Sequence, residues 1–340
     1  MKFKPPFLVA EISANHCGKI EVAKKLIKCA KINDADAVKL QTYRADTMTI
    51  NSKKKNFLIQ KGLWKNYSLW ELYEKAHTPW DWHKELFDYA KKLKIKIFST
   101  PFDETAVDFL EKLNCPFYKI SSFEMNDIPL IKKVCSTKKP IIISTGTSSF
   151  QEIATTFNAA KKFGAKDITL LYCVSKYPSK VSDFHMNNIL IMKKKFKCRI
   201  GFSDHSTNNL VACSAVAAGA EVIEKHIALD NQKKGLDIEF SLKGKQIKRF
   251  KKDITNTYNM FLKKKFFREG NENKFFKRSI YIIKDIKKGE KLSKSNIKRI
   301  RPGDGLAPIY FDKVIGKRSM INLKAENPLT KSILKKLKNY

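Results

Sequence analysis

The chain has 340 residues, 43% of them hydrophobic, which suffices for one large core plus a small second domain and argues against a disordered chain. Its seven cysteines are odd in number, scattered and nowhere spaced as CxxC, which argues against a disulfide scaffold and leads us to expect reduced thiols in a cytoplasmic protein. The net charge of +35 invites a nucleic-acid reading, but lysine supplies 60 of the 68 basic residues and is spread along the chain, whereas base and phosphate recognition favours arginine forks, so a solvated surface that draws in anionic substrates is the simpler account.

From the N-terminus, MKFKPPFLVAEIS holds too short an apolar run for a signal peptide, and no later run approaches the roughly 18 residues that cross a bilayer, so no membrane partner is expected. One unit then recurs. FLVAEIS (7–13) reads as a strand, VAKKLIKCAKI (22–32) as an amphipathic helix and AVKLQTY (37–43) as a second strand. After a long polar and aromatic insertion come strand IKIFSTPF (95–102), helix ETAVDFLEKL (104–113) and strand FYKISS (117–122). Helix PLIKKVCS (129–136), strand PIIISTG (140–146), helix FQEIATTFNAAKKF (150–163), strand ITLLYCVS (168–175) and helix NNILIMKKKF (187–196) follow. IGFSDH and EVIEKHI are the last two strands, flanking the Ala-rich helix NNLVACSAVAAGA that stops on Gly219, and IKRFKKDITNTYNMFLKKKF (247–266) supplies the closing helix. Eight strands alternating with helices within residues 1–267 predict an α/β fold, a TIM (β/α)8 barrel rather than an open sheet, because closure leaves no edge strand to protect.

In such a barrel the strand ends that run into helices share one mouth. Standing there in order are Glu11, Lys39 with Gln41, Thr100, Lys119 with Ser122, Ser144 with Thr145, Ser175 with Tyr177, Ser203 with His205, and His226. A serine or threonine before a helix serves equally as an N-cap, and a buried histidine needs no more than one backbone partner. Lys39 and Lys119 are harder to set aside, since each would bury an ammonium unless a partner is supplied, and two of them point to a bound anion. Two convergent imidazoles beside that seat point to a divalent metal. Beyond the barrel, a linker is expected at 268–276 and a compact β-rich module at 277–340, where RPGDG (301–305) either presents Arg301 to a ligand or is an ordinary surface turn.

With EISANHCG (11–18), KLQTY (39–43), FSTPFD (98–103), YKISSFE (118–124), ISTGT (143–147), CVSKYP (173–178), GFSDHS (201–206), EKHIALD (224–230) and RPGDG assembled, the chain resembles the sialic acid synthase family, the phosphoenolpyruvate-dependent nonulosonic acid synthases, over essentially its full length. The resemblance implies a condensation of phosphoenolpyruvate with the aldehyde of an N-acetylated amino sugar, helped by Mn2+ or Mg2+. It implies that His205 and His226 hold the metal, that Lys39, Thr100, Lys119, Ser122, Ser144 and Ser203 hold phosphoenolpyruvate, and that Glu11 serves water activation and proton transfer. Gln41, Glu124, Tyr177 and Asp237 match sugar-contacting positions. So does Arg301, carried by an antifreeze-like (SAF) domain that reaches the other subunit of a domain-swapped homodimer. LWELYEKAHTPWDWHKELFDYAKK (69–92), PFDETAVDFLEKL (101–113) and DIEFSL (237–242) look most like the pseudaminic acid synthase branch, whose acceptor is 2,4-diacetamido-2,4,6-trideoxy-altrose. The aromatic insertion would then pack against the 6-methyl and acetamido groups, or Trp70, Trp80 and Trp82 simply anchor it. Ser175, Thr147 and Leu236 depart from common family patterns, which leaves N-acetylneuraminate and legionaminic acid synthase as alternatives, with a basic nucleic-acid-binding protein as the alternative of a different class.

Overall fold

The computed structural model describes residues 4–262 and 273–339. The chain forms two compact units, Met1–Lys263 and Lys264–Tyr340, and most of the linker expected at 268–276 lies outside the described residues.

The first unit is built on eight parallel strands: β1 (Phe7–Glu11), β2 (Ala37–Thr42), β3 (Lys96–Pro101), β4 (Tyr118–Ile120), β5 (Ile141–Ser144), β6 (Ile168–Cys173), β7 (Arg199–Asp204) and β8 (Val222–Ala228). They pair in sequence order, and β8 returns to β1 with Glu11 opposite His226, which closes the expected TIM barrel. Strands covered by helices outside and by side chains inside are buried on both faces, and β1, β6 and β8 are buried at every residue. A two-residue β9 (Leu242–Lys243) extends the sheet beside the end of β8.

Several helices around the barrel start where the sequence offers caps. The outer layer includes α1 (Ile20–Ile32), the short α2 (Ala45–Met48), α3 (Leu69–Ala76), α4 (Trp80–Lys92), α5 (Glu104–Lys112) and α6 (Ile128–Ser136). It continues with α7 (Phe150–Lys162), α8 (Asn187–Phe196), α9 (Asn209–Ala217) and α10 (Gln246–Phe261). Asp103 accepts from the amides of Thr105 and Ala106 at the head of α5, and Ser149 with Glu152 forms a capping box on α7. The closing helix ends at Phe261 among the described residues, and positions 263–266 of its expected span lie outside them.

The segment after β2, expected as one insertion, corrects that expectation. Its second half is α4, the barrel's own second helix, burying His83, Leu86, Phe87 and Ala90 on one face. His83 donates Nδ1–H to Pro79 O at 3.1 Å and so accepts from the Thr42 hydroxyl at 2.8 Å, which itself meets Ser99 Oγ at 2.6 Å. A buried imidazole that is fully hydrogen-bonded takes the place of an apolar residue on that face, which hid the helical period.

The second unit pairs β10 (Ser279–Ile282) antiparallel with β11 (Ile297–Ile300), adds the short helices α11 (Phe311–Val314) and α12 (Lys331–Leu334), and pairs β12 (Arg318–Ser319) with β13 (Leu337–Lys338). Ile280, Ile282, Leu292, Ile297, Val314 and Leu329 form its own core. No helix among the described residues is long and apolar enough to cross a membrane.

Candidate active site

Side chains alternate along a strand, so Ser203 with His205, and Glu224 with His226, share the interior face of the barrel. The two imidazoles converge there, with ring centroids 5.6 Å apart. His205 donates Nδ1–H to Val174 O at 3.0 Å, which leaves Nε2 with its lone pair exposed to the site. Burial, with the neighbouring His226 ring second, pushes His205 down to about 3, so the imidazole is neutral at pH 7. His226 Nδ1 makes no hydrogen bond, and the nearest carboxylate oxygen, Asp237 Oδ2, lies at 3.5 Å. Tyr177 packs at a tilt against His205 at 4.4 Å and Phe240 meets the His226 ring edge-on at 4.8 Å, so aromatic walls hold both rings. Among the described residues no group of three or more His, Cys, Asp or Glu side chains forms a metal cage. Two imidazoles that leave further coordination positions free nevertheless fit an open metal seat completed by water and substrate.

Deeper in the barrel the chain itself supplies the lysines with partners. Neither ammonium is left without a partner. Lys39 Nζ and Lys119 Nζ both lie 3.1 Å from Glu224 Oε1, Lys39 Nζ also lies 2.6 Å from Glu11 Oε2, and Ser203 donates to Glu224 Oε1 at 3.3 Å. Two ammoniums and two carboxylates balance, and all four side chains are buried. Burial pushes Lys39 down to about 7 against the pull of Glu224. Burial works against charge on Glu224 as well, but Lys119 and Lys39 outweigh it and hold that carboxyl well below the usual range. The hydroxyls of Thr100 and Ser144 are buried and have no hydrogen-bond partner, whereas Ser122 Oγ accepts the Gly146 amide at 3.0 Å. A Cβ at Gly146 would stand 2.4 Å from Ser175 Oγ and 3.0 Å from Cys173 Sγ, so a larger residue there would push the Ser175 hydroxyl aside. Glu11 is fully buried, and its Oε1 accepts the Ser13 amide at 2.8 Å.

A cavity of about 360 Å³ opens beside the imidazoles, and Gln41, Glu124, Tyr177, His226 and Asp237 line it together with Tyr43, Trp64, Leu72, Tyr73 and Phe102. Gln41 Nε2 donates to Ser13 Oγ at 3.0 Å, and the Glu124 carboxylate accepts from the Ser121 hydroxyl. Burial raises Glu124 to about 7. The tryptophan that faces the cavity is Trp64, which donates Nε1–H to Leu236 O at 3.2 Å. Trp80 stacks on Phe109 at 4.6 Å and Trp82 meets His16 edge-on at 5.5 Å, so these two anchor α4. Arg301 is exposed in the second unit, where Ser279 Oγ donates to Pro302 O at 2.7 Å and accepts the Gly305 amide at 2.9 Å, holding the RPGDG loop.

Comparison with known families gives the barrel a relationship. The NeuB family model matches residues 26–265 and the SAF domain model matches residues 277–335. The chain belongs to the NeuB family. It is 41% identical over 331 residues to the pseudaminic acid synthase of Helicobacter pylori, covering 96% of this chain and 97% of that protein. It is 34% identical over 328 residues to the N,N'-diacetyllegionaminic acid synthase of Campylobacter jejuni, covering 95% and 98%. The crystal structure of N-acetylneuraminic acid synthetase from Leptospira borgpetersenii, in complex with citrate, superposes with a TM-score of 0.71 at 29% identity, covering 79% of this chain and 89% of that one. This NeuB chain is accordingly an enzyme of the transferase type, a synthase.

Two residues of the candidate site were missed by sequence reasoning. Glu224 was passed over although it stands two positions before His226, where strand alternation puts it on the same inward face. Trp64 lies between β2 and α3 in a stretch without regular periodicity, and no local signal aims it at the mouth.

Proposed function

We propose that this NeuB-family enzyme is a pseudaminic acid synthase, which condenses phosphoenolpyruvate with 2,4-diacetamido-2,4,6-trideoxy-altrose to give a nonulosonic acid and phosphate. The observation that carries the reading is the cavity wall. Among the described residues that line it there is no lysine or arginine, and most are aromatic or aliphatic, which suits a 6-deoxy, diacetamido and unphosphorylated sugar and offers no seat for a sugar phosphate. The relatives at about 40% identity that carry this name add to it.

In this reading Lys39 and Lys119, with the hydroxyls of Thr100, Ser122, Ser144 and Ser203, hold the carboxylate and phosphate of phosphoenolpyruvate. The two unpartnered hydroxyls of Thr100 and Ser144 are donors in waiting. Side chains fixed by the barrel reorganise little as charge moves during reaction. Gln41, Glu124, Tyr177 and Asp237 orient the acceptor, with Arg301 brought by the SAF domain of a second subunit in a swapped homodimer. Carbon 3 of the enol attacks the aldehyde carbon, water adds to carbon 2, and phosphate leaves by carbon–oxygen cleavage as carbon 2 becomes the ketone and its hydroxyl proton goes to the departing phosphate. Glu11 takes one proton from that water and passes it to the aldehyde oxygen, which ends as a hydroxyl. His205 and His226 would hold Mn2+ or Mg2+, which when bound supplies Lewis-acid polarisation of the aldehyde. All seven cysteines are free, which supports a cytoplasmic location.

The legionaminic acid relative at 34% identity keeps a second acceptor in view, the manno-configured isomer of the same sugar. Offering the altro and manno diacetamido sugars and N-acetylmannosamine in turn, with phosphoenolpyruvate, and following phosphate release distinguishes them. The altro sugar is expected to give the highest kcat/KM, and a preference for either other sugar overturns the assignment.

A further inference from the structure

We infer that Asn15 is a positioning residue for the acceptor side of the cavity, clasping segment 229–245, which carries Leu236 and Asp237, onto the ends of β1 and β8. Asn15 lies in the single turn Ser13–His16 that follows β1 and is fully buried. Its Nδ2 donates to Ile227 O at 2.9 Å and to Ser241 Oγ at 2.9 Å, and its Oδ1 accepts the Asp237 amide at 3.3 Å. Its backbone carbonyl accepts Gln232 Nε2 at 2.6 Å. Ser241 Oγ in turn donates to Asp237 O at 2.6 Å, so both backbone polar groups of Asp237 are tied into the clasp.

A primary amide is the short side chain that offers two donors and an acceptor together. Aspartate at position 15 would lose both donors and set a carboxylate near Asp237. The partner segment is shaped for the contact as well, since a Cβ on Gly235 would stand 2.6 Å from Asn15 Oδ1. What the clasp fixes is part of the site, because Leu236 and Asp237 line the cavity and Asp237 Oδ2 lies 3.5 Å from His226 Nδ1.

The inference rests on the reading that this cavity takes the acceptor sugar. Two measurements on Asn15→Ala test it together: amide hydrogen exchange of peptides spanning 229–245, and KM for each substrate. Exchange in that segment is expected to accelerate while the barrel strands keep their protection. KM for the acceptor is expected to rise about tenfold or more with KM for phosphoenolpyruvate changed less than about twofold, since small displacements of orienting groups are costly. Unchanged exchange overturns the clasp, and faster exchange with both KM values unmoved, or moving together, overturns its link to the acceptor. Should Asn15→Ala fail to fold, Gly235→Ala disturbs the same contact with Asn15 intact and must reproduce the split between the two KM values, its absence again overturning the inference. If the wild-type enzyme turns over none of the acceptors, the functional reading fails by itself, while exchange still decides the clasp.

Discussion

Glu224 concentrates the electrostatics of the site at the scale of single residues. It is the counter-charge shared by Lys39 and Lys119, and removing one partner of a buried ion cluster leaves charges that nothing solvates. Glu224→Gln is expected to cost about 3 kcal/mol of stability, read from denaturant unfolding. A loss within about 0.5 kcal/mol would show that Glu11 alone suffices as a partner. Lys39 supplies a pH signature. With its ammonium pushed down to about 7 by burial, it is charged below that pH and neutral above it. Binding of an anion therefore weakens as pH rises through about 7, and KM for phosphoenolpyruvate is expected to climb toward tenfold per pH unit in the alkaline limb. A KM that stays flat from about pH 6.5 to 8.5 would remove Lys39 from the anion seat. At this scale the sequence showed that buried lysines needed partners but not which partner, since ionic pairing across β1, β2, β4 and β8 joins residues up to 185 positions apart. The imidazoles were legible because each stands close to the end of a largely apolar strand.

The segment between β2 and β3 shapes the cavity at the scale of elements. Its second half, α4, completes the helical layer, while its first half lays Trp64, Leu72 and Tyr73 along the cavity wall. Trp64→Ala removes a large apolar surface held in place by the hydrogen bond to Leu236 O and by packing at 5.5 Å against Tyr177. It is expected to raise KM for the acceptor about tenfold, equivalent to ~1.4 kcal/mol, and to leave KM for phosphoenolpyruvate unchanged. A change in both alike would mean that Trp64 supports the barrel mouth as a whole. The eight strands were read correctly from apolar runs of strand length, as were helices such as α5 and α7, whose caps and periods are local. The helix α4 was not, because His83 and the tryptophans at its start mix polar tips with apolar bodies and blur the period.

At the scale of the whole molecule, the high charge and the proposed exchange of small domains are the features to test. Lysine-rich charge on a solvated surface predicts at most weak DNA binding that disappears at physiological salt, and tight, sequence-selective binding under those conditions would revive the nucleic-acid alternative. The proposed swapped dimer makes a sharper forecast by subunit mixing. His226→Ala disables a barrel and Arg301→Ala disables a SAF loop. Unfolded together and refolded as mixed dimers, the two inactive variants should recover about a quarter of wild-type turnover if small domains are exchanged, since half of the random dimers then hold one intact site. No recovery would mean that each barrel uses its own Arg301. The most direct test of the central claim, that one mouth joins a phosphoenolpyruvate seat to an acetamido-sugar cavity, is a mass spectrum of the reaction of 2,4-diacetamido-2,4,6-trideoxy-altrose with phosphoenolpyruvate and Mn2+. The account predicts a single product equal to the acceptor plus one pyruvate, with one phosphate released for each molecule formed. Phosphate released without such an adduct, or an unchanged acceptor, would contradict it.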